Sequence, residues 1–364
     1  MKILIQTGKL FLPKCCWMLG TMISLLTFSG FSVKAQDLNF SQFYELPLLR
    51  NPALAGIFKG DMRIQSVHRN QWQSVTVPYQ TTGLSAEVIL PVNDYGHAVV
   101  VGAQMLHDVA GDSKLTRTHF LPVVGYQVPI AGSDVYLSGA IMGGIVSSSF
   151  DPSGLRWADQ FVNGQFNPAM TSRQPIRNTG RNYLDVGGGL AIAGPANEVM
   201  SYYVGIGLFH ANNPRVSINN DEVRLAKKWV VSGGMTLDMS DYQRVTLYGD
   251  YIYQNAGQVD SAKMVTGNQS VFMMGAFYTN DLVQYDTDDK VSFTMGAIYR
   301  WADAVAPMVR FDLKKLAFGL SYDVNVSKLT VASGARGGFE LTMAYRTTFT
   351  NRIMKHYKLR CVGF

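Results

Sequence analysis

The sequence predicts an all-β protein: an antiparallel transmembrane β-barrel of about 14 strands following a cleaved signal peptide. Three observations carry this reading. Apolar and polar residues alternate with period two through most of the chain. Charged residues make up only 16% of the 364, against about 25% in ordinary soluble proteins. Beyond residue 35 no segment offers the roughly 18 uninterrupted apolar residues of a membrane helix, so a bilayer could be crossed only by strands.

The first 35 residues stand apart. Lys2, Lys9 and Lys14 precede or flank an apolar run over 15–31, and Val33-Lys34-Ala35 presents small residues to a signal peptidase. Cleavage is expected before Gln36. The four lysines of this segment account for most of the net charge of +6, which falls to 6 − 4 = +2. No basic stripe then remains for nucleic acid, and none is expected as a partner. Cys15 and Cys16 leave with the signal, so Cys361 is the one cysteine of the mature chain.

Residues 36–60, with Pro47 and Pro52, lack sustained alternation. They are expected to form an ordered N-terminal segment across the periplasmic mouth or inside the lumen, because Phe40, Phe43 and Tyr44 are costly to leave in water; the alternative is a mobile tail. The barrel is expected over 61–349, with strands near 62–70, 82–90, 97–106, 118–128, 135–147, 182–193, 201–210, 228–238, 244–254, 270–280 and 290–301. Three more close it within 299–346. There Val309, Phe311, Leu313, Leu316, Phe318, Leu320, Tyr322, Phe339, Leu341, Met343 and Tyr345 form the apolar set. Val291, Phe293, Met295, Ala297, Tyr299 and Trp301 give one strand a lipid face ending in aromatics, as an interfacial girdle requires. Lys314-Lys315 is a tight reversal and 325–338 a long loop. A basic tail, 350–364, follows.

Gly143-Gly144, Gly187-Gly188-Gly189 and Gly233-Gly234 interrupt strands. They mark either a close approach to the wall or relief of crowding in a curved sheet. The connection 148–181 is too long for a passive loop, and its Leu155, Trp157, Phe161 and Phe166 point to a lid or plug. Charged residues on predicted inner faces are Arg69, Glu87, Asp250, Arg300, Arg310, Asp312, Asp323, Glu340 and Arg346. Both signs are present, which favours cross-strand pairs and a filled barrel over a pore with a field of one sign. The six histidines show no metal-ligand spacing. His119 or His210 with Ser138 or Ser201 has no spacing that singles out a catalytic triad. No catalytic, metal or cofactor site is expected.

Several stretches together resemble the PorP/SprF family of the type IX secretion system: FSQFYELPLLRNPALAG (40–56), HRNQW (68–72), LRWADQF (155–161), GIGLFHANNP (205–214), LSYDVNVSKL (320–329) and GGFELTMAYR (337–346). The terminus Cys361-Val362-Gly363-Phe364 keeps the cysteine and phenylalanine of the family's usual ending and lacks its middle. The resemblance implies a non-enzymatic barrel in the outer membrane of a Gram-negative bacterium. It would lie in outer-membrane lipid, work with type IX secretion and gliding components, and serve a large secreted surface protein bearing a type IX C-terminal signal domain. Trp157, Asp159 and Phe161 are then candidates for partner binding, and Arg310, Asp312, Asp323, Glu340 and Arg346 for the charged lumen. A porin-like solute channel is the alternative, and an outer-membrane lipase a distant third.

Overall fold

In the computed structural model the described residues run from 40 to 349, except 72–76, 93–94, 131–132, 175, 177, 219–222, 255–268, 285–289, 328–329, 331–333 and 335. The expected signal segment, the tail with Cys361, and Trp72 lie outside them. Fourteen antiparallel strands close into a barrel. They are β1 (Met62–Gln71), β2 (Tyr79–Pro91), β3 (Ala98–Ala110), β4 (Leu115–Pro129), β5 (Tyr136–Ser149), β8 (Gly180–Asn197), β9 (Met200–Phe209), β10 (Lys228–Ser240), β11 (Gln243–Gln254), β12 (Gln269–Gln284), β13 (Lys290–Arg300), β14 (Ala304–Leu313), β15 (Leu316–Asn325) and β16 (Arg336–Thr347). The remaining two, β6 (Phe161–Val162) and β7 (Gln165–Phe166), form a separate hairpin in the connection after β5. Among the described residues no helix is long and apolar enough to cross a membrane.

Each barrel strand pairs with its neighbour in chain order, and β1 closes the ring against β16 through Met62↔Thr347 to Asn70↔Phe339. A closed ring satisfies every ladder without leaving an edge, the condition for strands in hydrocarbon. The period-two pattern becomes an inside and an outside. On β11 Leu247 and Tyr251 are exposed while Thr246 and Asp250 are buried. Around the ring Val124, Ile141, Leu190, Val204, Val231, Met295, Phe311 and Leu341 all face outward. Trp301, placed in a strand by its alternation, lies one residue beyond β13 in the turn to β14, and is 66% exposed.

Connections at one end, such as 198–199, 241–242 and 314–315, are short; at the other, 150–179 and 210–227 are long. Outer-membrane barrels turn their short connections to the periplasm and their long ones outward. Residues 40–61 pass through the lumen between these ends as two 3₁₀ turns (Phe43–Glu45 and Pro52–Leu54) flanking one α-helical turn (Pro47–Arg50). The segment reaches the short-turn end where Asp61 N donates to Thr347 O (2.9 Å). Most of the apolar core is the packing of this segment against the inner wall: Leu48, Ala53, Leu54, Ile57 and Phe58 meet Val100, Leu121, Ala140, Ala191, Val230 and Phe277.

Glycines fit the wall to this filling. A Cβ at Gly189 would sit 1.9 Å from Asn51 Oδ1, and one at Gly205 2.5 Å from Asn51 Nδ2, so both positions exclude a side chain to admit Asn51. Gly144 has another cause: its Cβ would strike Phe120 O of the neighbouring strand at 2.0 Å.

The outward face sets a first prediction. Ile141, midway along β5 and 72% exposed, faces hydrocarbon. Ile141→Arg is expected to destabilise the barrel by about 2–4 kcal/mol and Ile141→Leu hardly at all, read from reversible denaturant unfolding in lipid vesicles.

Candidate functional site in the filled lumen and outer loops

The lumen segment is gripped at three levels. Midway, Arg50 Nε and Nη2 donate to the Oδ2 and Oδ1 of Asp250 on β11 at 2.7 and 2.6 Å. This bidentate pair is buried on both sides, and the guanidinium lies 4.9 Å from the Phe43 ring and 5.6 Å from each of Tyr203 and Tyr248. The paired carboxylate and the ring faces replace the hydration that the cation loses. Close by, Arg310 is ion-paired to Glu45 and Asp312, and Gln65 Nε2 donates to Glu45 Oε2 (2.9 Å).

Toward the short turns the wall holds the segment's backbone. Glu87 accepts the Gly56 N–H (2.9 Å), Gln127 Nε2 donates to Ala55 O (3.1 Å), and Ser138 Oγ donates to Ala53 O (2.8 Å). Toward the long loops Glu340 accepts the N–H of Ser41 at Oε1 (2.6 Å) and that of Gln42 at Oε2 (2.7 Å). Ser41 Oγ donates to Asp323 and accepts from Arg300 Nη1. Arg69 joins Asp323 (2.8 Å) to Glu340 (3.1 Å), and Arg300 Nη2 donates to Asp323 (3.0 Å).

All five lumen residues singled out in the sequence thus lie on the inner wall. Arg310, Asp312, Asp323 and Glu340 are buried, and Arg346, half-buried, donates to Asp312 (3.0 Å). They do not gather at one point. Glu340 and Asp323 serve the outer level, whereas Arg310, Asp312 and Arg346 form a second group around Glu45. Sequence reasoning missed the partners inside the barrel: Glu45, Arg50 and Asn51. One signal was available, a lone arginine in the otherwise apolar run Leu46-Pro47-Leu48-Leu49-Arg50, which calls for a buried acid.

Trp157, Asp159 and Phe161 lie together in the connection after β5. Asp159 accepts from Arg173 N (2.6 Å) and from Ser172 Oγ (3.1 Å). Gln160 accepts from Trp157 N and donates to Met170 O. The connection is therefore folded upon itself, and Asp151 N ties it to Ser113 O of the β3–β4 turn. Its aromatics are incompletely covered: Phe161 is 46% exposed and packs on Phe166, with the Arg156 guanidinium 4.9 Å from the Phe166 ring. The two histidines weighed for a triad have other surroundings. His210 Nδ1 meets the Asp185 carboxylate (2.9 Å), and His119 is buried on β4. Among the described residues no group of metal-ligating side chains is assembled.

The family model for the type IX secretion system membrane protein PorP/SprF matches residues 32–345. The chain belongs to the PorP/SprF family. PorP/SprF membership and the closed barrel together make it an outer-membrane component of the type IX secretion system. No curated protein matches the chain. Among solved structures it is similar to the CymD monoaromatic hydrocarbon channel (11% identity, TM-score 0.50) and to the Ralstonia pickettii toluene transporter TbuX (10% identity, TM-score 0.50); each alignment covers 84% of this chain and 94% of the other. At such identity the likeness is one of fold.

Two predictions follow from the contacts. Arg50→Ala leaves Asp250 buried without its counter-charge and is expected to cost about 3–5 kcal/mol, most of it recovered in the double variant Arg50→Met/Asp250→Leu; denaturant midpoints of the refolded barrel measure both. In the loop, the Arg173 N–H, with Ser172, holds the Asp159 carboxyl below the ordinary aspartate range. A depressed acid stabilises its fold above the unfolded pKa of about 3.9 and loses that contribution as pH falls through the folded value. Pepsin nicking of residues 150–179, taken relative to pepsin cleavage of an unfolded peptide at the same pH, should therefore accelerate below about pH 4, and Asp159→Asn should remove that relative acceleration.

Proposed function

We propose that this protein, exported through a signal peptide cleaved before Gln36, serves the type IX secretion or gliding machinery as a closed, non-enzymatic barrel. It is needed for export or surface attachment of a large cognate protein bearing a type IX C-terminal signal domain. The observation carrying this reading is the filled lumen. A segment joined to the wall by Arg50–Asp250, Glu45–Arg310 and a shared apolar core leaves the long-loop end as the surface available to a partner.

Within that surface the folded connection 150–179 has the chemistry of a docking edge. Phe161 and Val162 are about half exposed on a two-stranded hairpin, and the Asp159 contacts hold the backbone in place. A rigid loop with exposed aromatics loses little freedom on binding. A solute channel, the function named for the two structural relatives, is the second reading; the apolar core joining lumen segment and wall supports it poorly.

Deletion of the gene is expected to leave a cognate protein unexported or shed into the medium, seen by comparing surface and medium proteomes. Normal surface display in the deletion strain would overturn the proposal. Trp157→Ala/Phe161→Ala should lower display about ten-fold, the loss of one or two interface anchors, while the barrel still shows folded gel migration. Steady solute-selective conductance of the intact protein in planar bilayers would favour the channel.

A further inference from the structure

The lumen segment divides into two parts held by different chemistry. Phe43, Tyr44 and residues 48–58 belong to the main core, with Tyr44 stacked on Tyr248. Phe40 and Leu46 instead form a small separate cluster with Val67 and Leu106. Ser41 and Gln42 are fixed by wall carboxylates and hydroxyls. The outer part is also the farther from β1, where the chain enters the wall, and it lies beside Arg300 and Asp323 at the long-loop end. Residues 40–42 can therefore leave their place without opening the main core or straining the entry to the barrel, while Phe43, Tyr44 and Glu45 stay.

The recognition combines backbone groups that any polypeptide carries with a hydroxyl and an amide side chain. Glu340 takes two successive backbone N–H groups, and Asp323 takes a hydroxyl. Ser321 accepts from the Gln42 amide (3.1 Å), which also donates to Glu340 O (3.2 Å), while Thr342 donates to its oxygen (3.0 Å). Gly319 makes room for this side chain, since a Cβ there would lie 2.7 Å from Gln42 Oε1. If the segment withdrew, Glu340 would lose two donors in a buried site, an unfavourable state unless another ligand supplied them. The ligand that presents two consecutive N–H groups, a hydroxyl and a flat amide at this spacing is another polypeptide.

We propose that the outer level of the lumen, formed by Arg69, Arg300, Asp323, Glu340, Ser321 and Thr342, is a peptide-binding site. In this structure it is occupied by the chain's own residues 40–42, and it accepts in their place an extended segment of the exported partner. The partner half of the proposal rests on the function proposed above; the peptide site does not. Exchange of residues 40–42 conserves the hydrogen bonds, so its cost is confined to reseating Phe40. The occupying segment is an internal competitor at an effective concentration on the order of millimolar, which would keep the site closed to casual ligands.

The test uses the full-length barrel in detergent in a Cys361→Ser background. Gln42 is fully buried, so the thiol of Gln42→Cys reports departure of the segment. Millimolar blocked peptide FSQ, the sequence of residues 40–42, should raise its labelling by a bulky maleimide about ten-fold. The same peptide N-methylated at its second and third residues lacks both donors to Glu340 and should have no effect. No rise, or an equal rise with both peptides, overturns the site.

In cells, Gln42→Cys/Ser321→Cys closed by a short reducible cross-linker should abolish surface display of the partner and regain it on reduction. Ala53→Cys/Ser138→Cys, cross-linked in the same way, should leave display intact. Display that persists with the outer bridge closed overturns the partner half. Normal display in the deletion strain instead removes the proposed function and leaves the peptide result standing.

Discussion

Arg50 and Asp250 meet near the middle of the barrel, out of reach of bulk water, and neither could be there alone. An isolated buried charge costs many kcal/mol, and a bidentate pair with ring faces around the cation restores most of that. The same requirement repeats above and below. Glu45 answers Arg310, and Asp323 and Glu340 answer Arg69 and Arg300. The segment 40–58 brings one charge of each sign, Glu45 and Arg50, and each is matched by its own wall partner, Arg310 and Asp250. Segment and wall are two halves of one electrostatic solution.

Packing obeys the same logic. Fourteen strands enclose more space than their own inward side chains fill, and the remainder is taken by Leu48, Leu54, Ile57 and Phe58 against wall residues such as Val100 and Phe277. Asn51 could not press so closely against the sheet if Gly189 and Gly205 carried side chains. Its amide donates to Leu190 O and its oxygen accepts from Ala53 N, so one side chain caps a turn and fixes that turn to the wall.

Strand number, the inside and outside of each strand, and the charged inner face were legible because period two is a local property. Thr246 and Asp250 lie on one face and Leu247 and Tyr251 on the other whatever their neighbours do. Register was not legible, since Arg63 meets Glu87 only once β1 and β2 pair with this offset, and Arg69 meets Glu340 only after ring closure. The inner contacts were hidden for a similar reason. Residues 40–60 have no repeat, and their partners Asp250, Arg310 and Glu340 lie 200 or more positions away. The glycine clusters carried two meanings that sequence could not separate, and the fold uses both, at Gly189 for the segment and at Gly144 for the adjoining strand.

The pairing of β1 with β16 has a consequence for biogenesis. The seam joins the first strand of the barrel to the last, so the sheet is an open ribbon until β1 and β16 pair. The segment preceding β1 can be laid along the concave face of that ribbon from the side, with no need to thread a finished tube. Closure then traps it. Entrapment is thereby coupled to completeness: a truncated chain lacking β16 has neither a closed wall nor the Glu340 carboxylate that receives Ser41 and Gln42. Such a chain would expose strand edges and unpaired lumen charges together, a marked difference from the finished barrel that quality control could read.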